Sequence, residues 1–271
     1  MEQITQKQKV KVMNFLKKFV IEKKVIPIYQ IESGSRMWGF ASKDSDFDIR
    51  GFHLPIKEDY FSFQKPKEQI EYLSGDLDIV SYSIDKFFSL ILTSNPNCLE
   101  QLQSSIIYKN LFNELGINFE TFKKEIFLNI NLKRLFFHYL SMAKNNYRKY
   151  LDDEKNSFTY KKCLYVLRSL YSSIYIYEKQ QLPPVIFKNL ISELKIEKKY
   201  KTLIDTILLK KEKAQEKTPV KNPKEIETMI LDLFDYVKNL EQKTTGDQKK
   251  LQECLNKVSI TMKNHYYGGS K

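Results

Sequence analysis

Cysteine is scarce in this chain: Cys98, Cys163 and Cys254 are odd in number and far apart, which argues against both a disulfide framework and a zinc site. The histidines are equally few and scattered, at His53, His138 and His265. No apolar run approaches the roughly 20 residues that a membrane-spanning helix needs, so no membrane partner is expected. The opening Met1-Glu2-Gln3-Ile4-Thr5-Gln6 lacks the apolar stretch of a secretory signal. Internal repeats and low-complexity tracts are missing as well. Together these absences lead to the expectation of a reduced, cytoplasmic protein.

Material for a core is ample. Of 271 residues, 42% are hydrophobic and 13% aromatic, which excludes global disorder and suits one large or two ordinary domains. Charge is divided unevenly. Residues 1–115 hold 15 Lys/Arg and 15 Asp/Glu, whereas residues 116–271 hold 30 and 18, so the whole +12 excess lies in the second part. Basic surfaces attract phosphates by long-range steering and counterion release. A neutral part joined to a basic one therefore suits a protein that gathers polyanions, although a merely soluble Lys-rich surface has the same composition.

The most informative segment is Glu32-Ser33-Gly34-Ser35-Arg36-Met37-Trp38-Gly39, followed by Asp46-Phe47-Asp48. Gly34 lets the backbone approach a phosphate closely, and Ser35 offers it a hydroxyl and an amide. Asp46 and Asp48, two apart on an expected strand running to Leu54, point the same way because side chains alternate with period two. Like charges side by side repel, so the pair costs stability unless a cation or a proton lies between them. A divalent metal holding a nucleoside triphosphate explains both the spacing and the cost; a solvated hairpin is the plainer alternative.

The rest of the chain supplies a frame. Residues 7–24 form an amphipathic helix with Val12, Phe15, Leu16, Phe19 and Val20 on one stripe, and Val25 to Ile31 a strand. Leu77 to Tyr82 reads as another strand, carrying Asp78 between apolar neighbours. Ser83 or Asp85 caps the helix that follows, and Asn95-Pro96-Asn97 breaks it. Beyond about residue 120 the pattern is helical, with helices at 131–150, 160–178, 186–195, 199–212, 223–241 and 247–263. An exposed connection is expected over 210–223, and a loose tail from His265 onward. Lys161 and Arg168 are seven apart on one helix face, a spacing that serves either a triphosphate or an ordinary solvated stripe.

These residues resemble a known family. Glu32-Ser33-Gly34-Ser35-Arg36, Trp38-Gly39, Ser45-Asp46-Phe47-Asp48 and Arg50 are similar to the signature of the YcgL-like nucleotidyltransferases, the RNA-repair-pathway family of the polymerase-β superfamily. The similarity continues through Asp78, Asn95-Pro96 and Leu99-Glu100, and resumes more loosely at Lys161, Tyr165 and Arg168. Cys163 and Ser169 depart from it, standing where an aromatic and a proline are usual.

The resemblance implies an α+β fold: a polymerase-β-type nucleotidyltransferase domain with a small mixed sheet over 1–115, then a basic α-helical domain over 116–271. It implies Asp46, Asp48 and Asp78 as catalytic ligands of two Mg2+ ions, and Gly34, Ser35, Arg36, Lys161 and Arg168 as nucleotide-binding. The implied reaction moves a nucleoside monophosphate from an NTP to a hydroxyl, with an RNA 3′ end as first choice of acceptor. The alternatives are a nucleotide-attaching modifier of protein or of a small molecule, and a non-catalytic RNA-binding module.

Overall fold

The computed structural model describes residues 4–150, 158–213, 218–220 and 223–268. The expected connection over 210–223 therefore falls partly outside the described residues, as does the end of the tail. In chain order the elements are α1 (Gln6–Lys23), β1 (Val25–Glu32), α2 (Gly34–Met37), β2 (Phe47–Pro55), α3 (Lys57–Tyr60), β3 (Gln69–Ser74) and β4 (Leu77–Ser83). There follow α4 (Ile84–Leu92), α5 (Pro96–Gln101), β5 (Ile107–Asn110), α6 (Phe119–Asn129) and α7 (Leu132–Tyr150). The remainder is helical: α8 (Tyr160–Lys179), α9 (Phe187–Ser192), α10 (Lys198–Lys213), α11 (Pro223–Lys238) and α12 (Gln248–Tyr267).

Two compact units emerge. The first, a sheet unit, comprises residues 1–37, 46–131 and 246–271; the second, a helical unit, comprises 38–45 and 132–245. A single cut at 115/116 does not coincide with this division. The C-terminal helix returns to the sheet unit, where Lys263 Nζ meets Asp85 at 2.6 Å and the Tyr267 hydroxyl donates to the Pro55 carbonyl at 2.7 Å. The expected loose tail is corrected for the same reason. Tyr267 is buried and stacks on Tyr60 at 4.2 Å, so α12 continues past the last apolar position of its stripe.

In the sheet unit, five strands run in the order β3-β4-β2-β1-β5. β2 and β4 are parallel and every other neighbouring pair is antiparallel, so the sheet is mixed. α1 is held at its start by a capping box between Thr5 and Gln8. Its stripe of Val12, Phe15, Leu16 and Phe19 buries against Phe47 and Ile49 of β2 and Leu77 and Ile79 of β4. Each large apolar side chain so buried contributes about 1.5–3 kcal/mol. Period-two alternation then sends the intervening residues, Asp48, Arg50, Asp78 and Val80, to the opposite face. Farther along that face Phe52 packs on Phe87 of α4, with ring centroids 4.7 Å apart. One strand pair thus offers apolar residues to α1 and charged ones to the other side.

β3 and β5 fall in stretches that showed no strand pattern. β3 is a largely exposed edge strand paired with β4, and its apolar alternation is only two residues long, Ile70 and Tyr72, both packed against the α1 core. β5 has four residues, below the length at which alternation becomes visible. Asn95 does more than break a helix. Its side chain accepts from the Asn97 and Cys98 amides, and Pro96 opens α5 at a position that lacks no needed donor.

Candidate active site

Register decides which acids meet. Asp48 pairs with Asp78 across the parallel β2–β4 ladder, so the two carboxylates lie side by side on the face away from α1. Between them lies Arg50, two residues beyond Asp48 on the same face. Its Nη2 donates to Asp48 Oδ1 at 3.1 Å and to Asp78 Oδ2 at 2.8 Å. Its Nη1 donates to the carbonyls of Ile49 and Asp78, both at 2.9 Å. The cation that two adjacent carboxylates require is thus supplied in this structure by the guanidinium.

Asp46 is placed differently from its expectation. The strand begins at Phe47, so Asp46 precedes it and its side chain is exposed. Its backbone carbonyl accepts from Arg36 Nε at 3.3 Å. Among the described residues no group of three or more His, Cys, Asp or Glu side chains is gathered closely enough to hold a metal ion. Asp48 and Asp78 are brought together by strand register, and Asp46 lies one residue before the strand. The donor chemistry still fits a hard divalent cation, which takes carboxylate oxygens. Asp48 and Asp78 would hold it from one face of the strand pair.

The Gly-Ser turn lies against this pair. Gly34 has φ +59°, in the left-handed region that glycine tolerates without penalty. A β-carbon there would stand 2.2 Å from Asp48 Oδ2, so the position has room for hydrogen alone. Ser33 N–H donates to the Asp48 carbonyl at 2.8 Å, tying the turn to the strand. Ser35 is buried, 3% exposed. Arg36 is buried too, with its guanidinium 4.2 Å from the centre of the Phe47 ring and 3.7 Å from Glu32.

Glu32 is a residue to which the sequence pattern assigned no role. It is fully buried, and it accepts from the Asp48 amide at 3.1 Å and from the Tyr108 hydroxyl at 2.6 Å. Burial lifts its carboxyl to about 7, while the Tyr108 and Asp48 hydrogen bonds and Arg36 pull the other way. Its place at the end of β1, directly before the turn, was the available signal. Arg50 was equally legible as a same-face neighbour of Asp48, but its bridging to Asp78 depends on a strand register that local sequence does not carry.

The helical unit holds the remaining candidates. Lys161 and Arg168 both lie on α8. Arg168 is buried, with its guanidinium 4.0 Å from the centre of the Trp38 ring, and Lys161 is half-buried, 5.9 Å from the Tyr165 ring. Trp38 also meets Tyr165 edge-on at 5.4 Å. Arg168 thus sits on an aromatic face, an arrangement that guanidinium groups favour. Also in this unit, Lys211 is 1% exposed and its Nζ donates to Ser42 Oγ at 2.6 Å. Ser42 N–H in turn donates to Ser45 Oγ at 3.0 Å, which fastens the turn that precedes Asp46 in the chain.

A mixed sheet with a carboxylate pair on adjoining parallel strands beside a Gly-Ser turn defines an α+β fold of the polymerase-β type. The sequence profile of the RNA repair pathway DNA polymerase beta family (RlaP) matches residues 8–261, and the chain belongs to that family. Protein YcgL of Bacillus subtilis (strain 168) is 36% identical over 194 residues, covering 70% of this chain and 71% of that protein. Protein MJ0002 of Methanocaldococcus jannaschii is 30% identical over 154 residues, or 55% of this chain and 59% of that one. The activity class that the family indicates is nucleotidyl transfer. Among the described residues no helix is long and apolar enough to cross a membrane.

Proposed function

We propose that this chain is a metal-dependent nucleotidyltransferase that moves a nucleoside monophosphate from an NTP to the 3′ hydroxyl of an RNA. The observation that carries the reading is the register pairing of Asp48 with Asp78, closed by a cation and bordered by a turn that has no space for a β-carbon. Asp46, Asp48 and Asp78 would hold Mg2+. When bound, the ion supplies charge neutralisation on the triphosphate and lowers the pKa of the attacking hydroxyl. Gly34 and Ser35 bring backbone close to the phosphates, and Arg36 holds the turn by bonding to the Asp46 carbonyl. Lys161 and Arg168 are proposed as charge-neutralising residues for polyanionic substrates.

In the reaction the acceptor oxygen forms a bond to the α-phosphorus, the bond to the bridging oxygen breaks, and pyrophosphate leaves. Asp78 takes the acceptor's proton. Positioning and electrostatic stabilisation supply most of the acceleration, as in phosphoryl transfer generally. RNA is preferred as acceptor because the helical unit is the more basic, with 24 Lys/Arg against 15 Asp/Glu.

The test is incubation of the full chain with each α-labelled NTP, Mg2+ and total cell extract, followed by fractionation. Label in RNA supports the proposal. Label in protein or in small metabolites replaces the acceptor, and no transfer from any NTP rejects the enzyme.

A further inference from the structure

The outer face of α7 concentrates positive charge that the proposed reaction leaves without a role. The helix holds Lys133, Arg134, Lys144, Arg148 and Lys149, all exposed, and no aspartate or glutamate. At 3.6 residues per turn, Lys133, Phe137, Lys144 and Arg148 fall within about 60° of one another, on a stripe about 22 Å long. Lys133, Lys144 and Arg148 have no ion-pair partner among the described residues. The other side of the helix belongs to the core, through Leu135, Phe136, Tyr139, Leu140 and Ala143. Neighbouring α8, whose Ser173 hydroxyl donates to the Phe136 carbonyl at 3.4 Å, has four Lys/Arg and one acid, Glu178, so it adds to the excess. From α11, Glu227 accepts from the Tyr147 hydroxyl at 3.5 Å, outside the stripe.

Two features set this stripe apart from a merely soluble surface. Lys133 and Arg134 stand in the first turn of α7, which holds no acid, although the helix dipole favours anions there. A local rule broken in this way is a mark of function. Phe137 is 48% exposed in the midst of the cations, with its ring edge-on to buried Phe136 at 5.2 Å. Cations that follow phosphates, interleaved with a ring that stacks a base, are the composition of a single-strand site. The lysines of α1 make a useful contrast. Lys7, Lys11 and Lys18 also share a stripe, but Lys11 is paired with Asp76 at 2.6 Å, and the stripe has neither arginine nor aromatic. An anionic membrane fits α7 poorly, because a surface-lying helix sinks an apolar face into the lipid, and that of α7 is buried in the core.

We propose that the outer face of α7 binds the phosphodiester backbone of a single-stranded RNA, with Phe137 stacking one of its bases. Lys133, Lys144 and Arg148 meet phosphates along the stripe, Arg148 with the planar fork that suits two phosphate oxygens. The choice of RNA over a DNA strand rests on the reading of the chain as an RNA-acting enzyme, whereas the charge and stacking chemistry does not.

The experiment titrates the full chain, without metal or NTP, with a labelled single-stranded RNA long enough to span the stripe, following anisotropy at several salt concentrations. The triple variant Lys133→Gln, Lys144→Gln, Arg148→Gln is expected to bind at least about tenfold more weakly at low salt. Its slope of log affinity against log salt is flatter by about 2, the loss of three single-strand phosphate contacts. Phe137→Ala weakens the single strand about fivefold and leaves duplex RNA, whose bases are already stacked, unaffected. Lys133→Arg with Lys144→Arg keeps wild-type binding. A second triple on α1, Lys7→Gln, Lys17→Gln, Lys18→Gln, removes the same charge and keeps the slope, which separates the stripe from net charge. All these positions are exposed, so melting curves match wild type. Asp48→Asn leaves RNA binding unchanged; a chain that binds RNA through α7 but transfers no nucleotide retains this proposal and rejects the catalytic one. A DNA strand of the same sequence that binds more tightly overturns the choice of RNA. Equal salt slopes for wild type and the α7 triple, an equal loss in the α1 triple, or capture of phosphatidylserine vesicles in preference to RNA overturns the proposal.

Discussion

The two units solve the problem of handling charge in opposite ways. The sheet unit has 21 Lys/Arg against 18 Asp/Glu and sets its charges by strand register: Asp48 meets Asp78, and Arg50 closes the pair. The helical unit has the larger excess, 24 against 15, yet two of its cations are withdrawn from water, Arg168 onto Trp38 and Lys211 onto Ser42. Net charge therefore says where a polyanion is attracted. Geometry says where it could be worked on.

The comparison breaks most sharply at the carboxylate pair. Asp48→Asn or Asp78→Asn should lower turnover at least about a thousandfold, since several kcal/mol of transition-state stabilisation are removed. Melting temperature should hold, because Arg50 then faces one carboxylate in place of two. A steady-state assay with a parallel melting curve checks both. A folded Asp48→Asn variant that keeps near-full activity would contradict the assignment.

Gly34→Ala is the next largest. The added methyl lies 2.2 Å from Asp48 Oδ2 at a positive φ, so the carboxylate must move. Relieving that contact takes a shift of about 1 Å, which costs about a hundredfold in rate. The left-handed backbone adds about 1–2 kcal/mol of strain, read as a lower urea midpoint. An equivalent substitution at exposed Gly75, whose added carbon meets nothing, should leave activity intact and so isolates the contact from the strain.

His53 sharpens the picture of the sheet core through pH. Burial holds it down to about 4 from an ordinary 6.5, with its Nδ1 2.9 Å from Ser81 Oγ. Between those values the unfolded chain takes up a proton that the folded chain refuses. His53 therefore contributes stability above about pH 6.5, and that contribution is lost as pH falls toward 4. His53→Gln should flatten this part of the curve, with an effect on the order of 2 kcal/mol across the window. Urea midpoints of both proteins at the two ends of the range test it; an unchanged slope counts against a neutral buried imidazole.

The smallest effect is at Arg50. Arg50→Met leaves two carboxylates facing each other at partly exposed positions, a loss of about 1 kcal/mol. Mg2+ should then raise the melting temperature of the variant more than that of wild type. Equal shifts would mean that the pair does not attract the ion.

Much of this arrangement was legible in sequence. The α1 stripe, β1, β2 and β4 followed from periodicity, and the helices after residue 130 from a helical pattern with few strand signals. Asp48 and Asp78 were legible as strand carboxylates, but not that they are register partners, because register is set by long-range pairing. Asp46 was read as lying on the strand and sits one residue before it, within the error that strand ends allow. Glu32 and Arg50 were visible as motif letters without a role; burial and a bridging geometry gave them one. The return of α12 to the sheet unit could not be read at all, since contacts such as Tyr267 to Pro55 join residues more than two hundred positions apart.

The most direct test follows the two ends of the triphosphate. Wild-type protein is incubated with Mg2+, an RNA acceptor and ATP labelled at either the α- or the γ-phosphate. Nucleotidyl transfer predicts α-label covalently in the RNA and γ-label in pyrophosphate. Recovery of γ-label in the acceptor, or α-label remaining wholly in ATP, would contradict it.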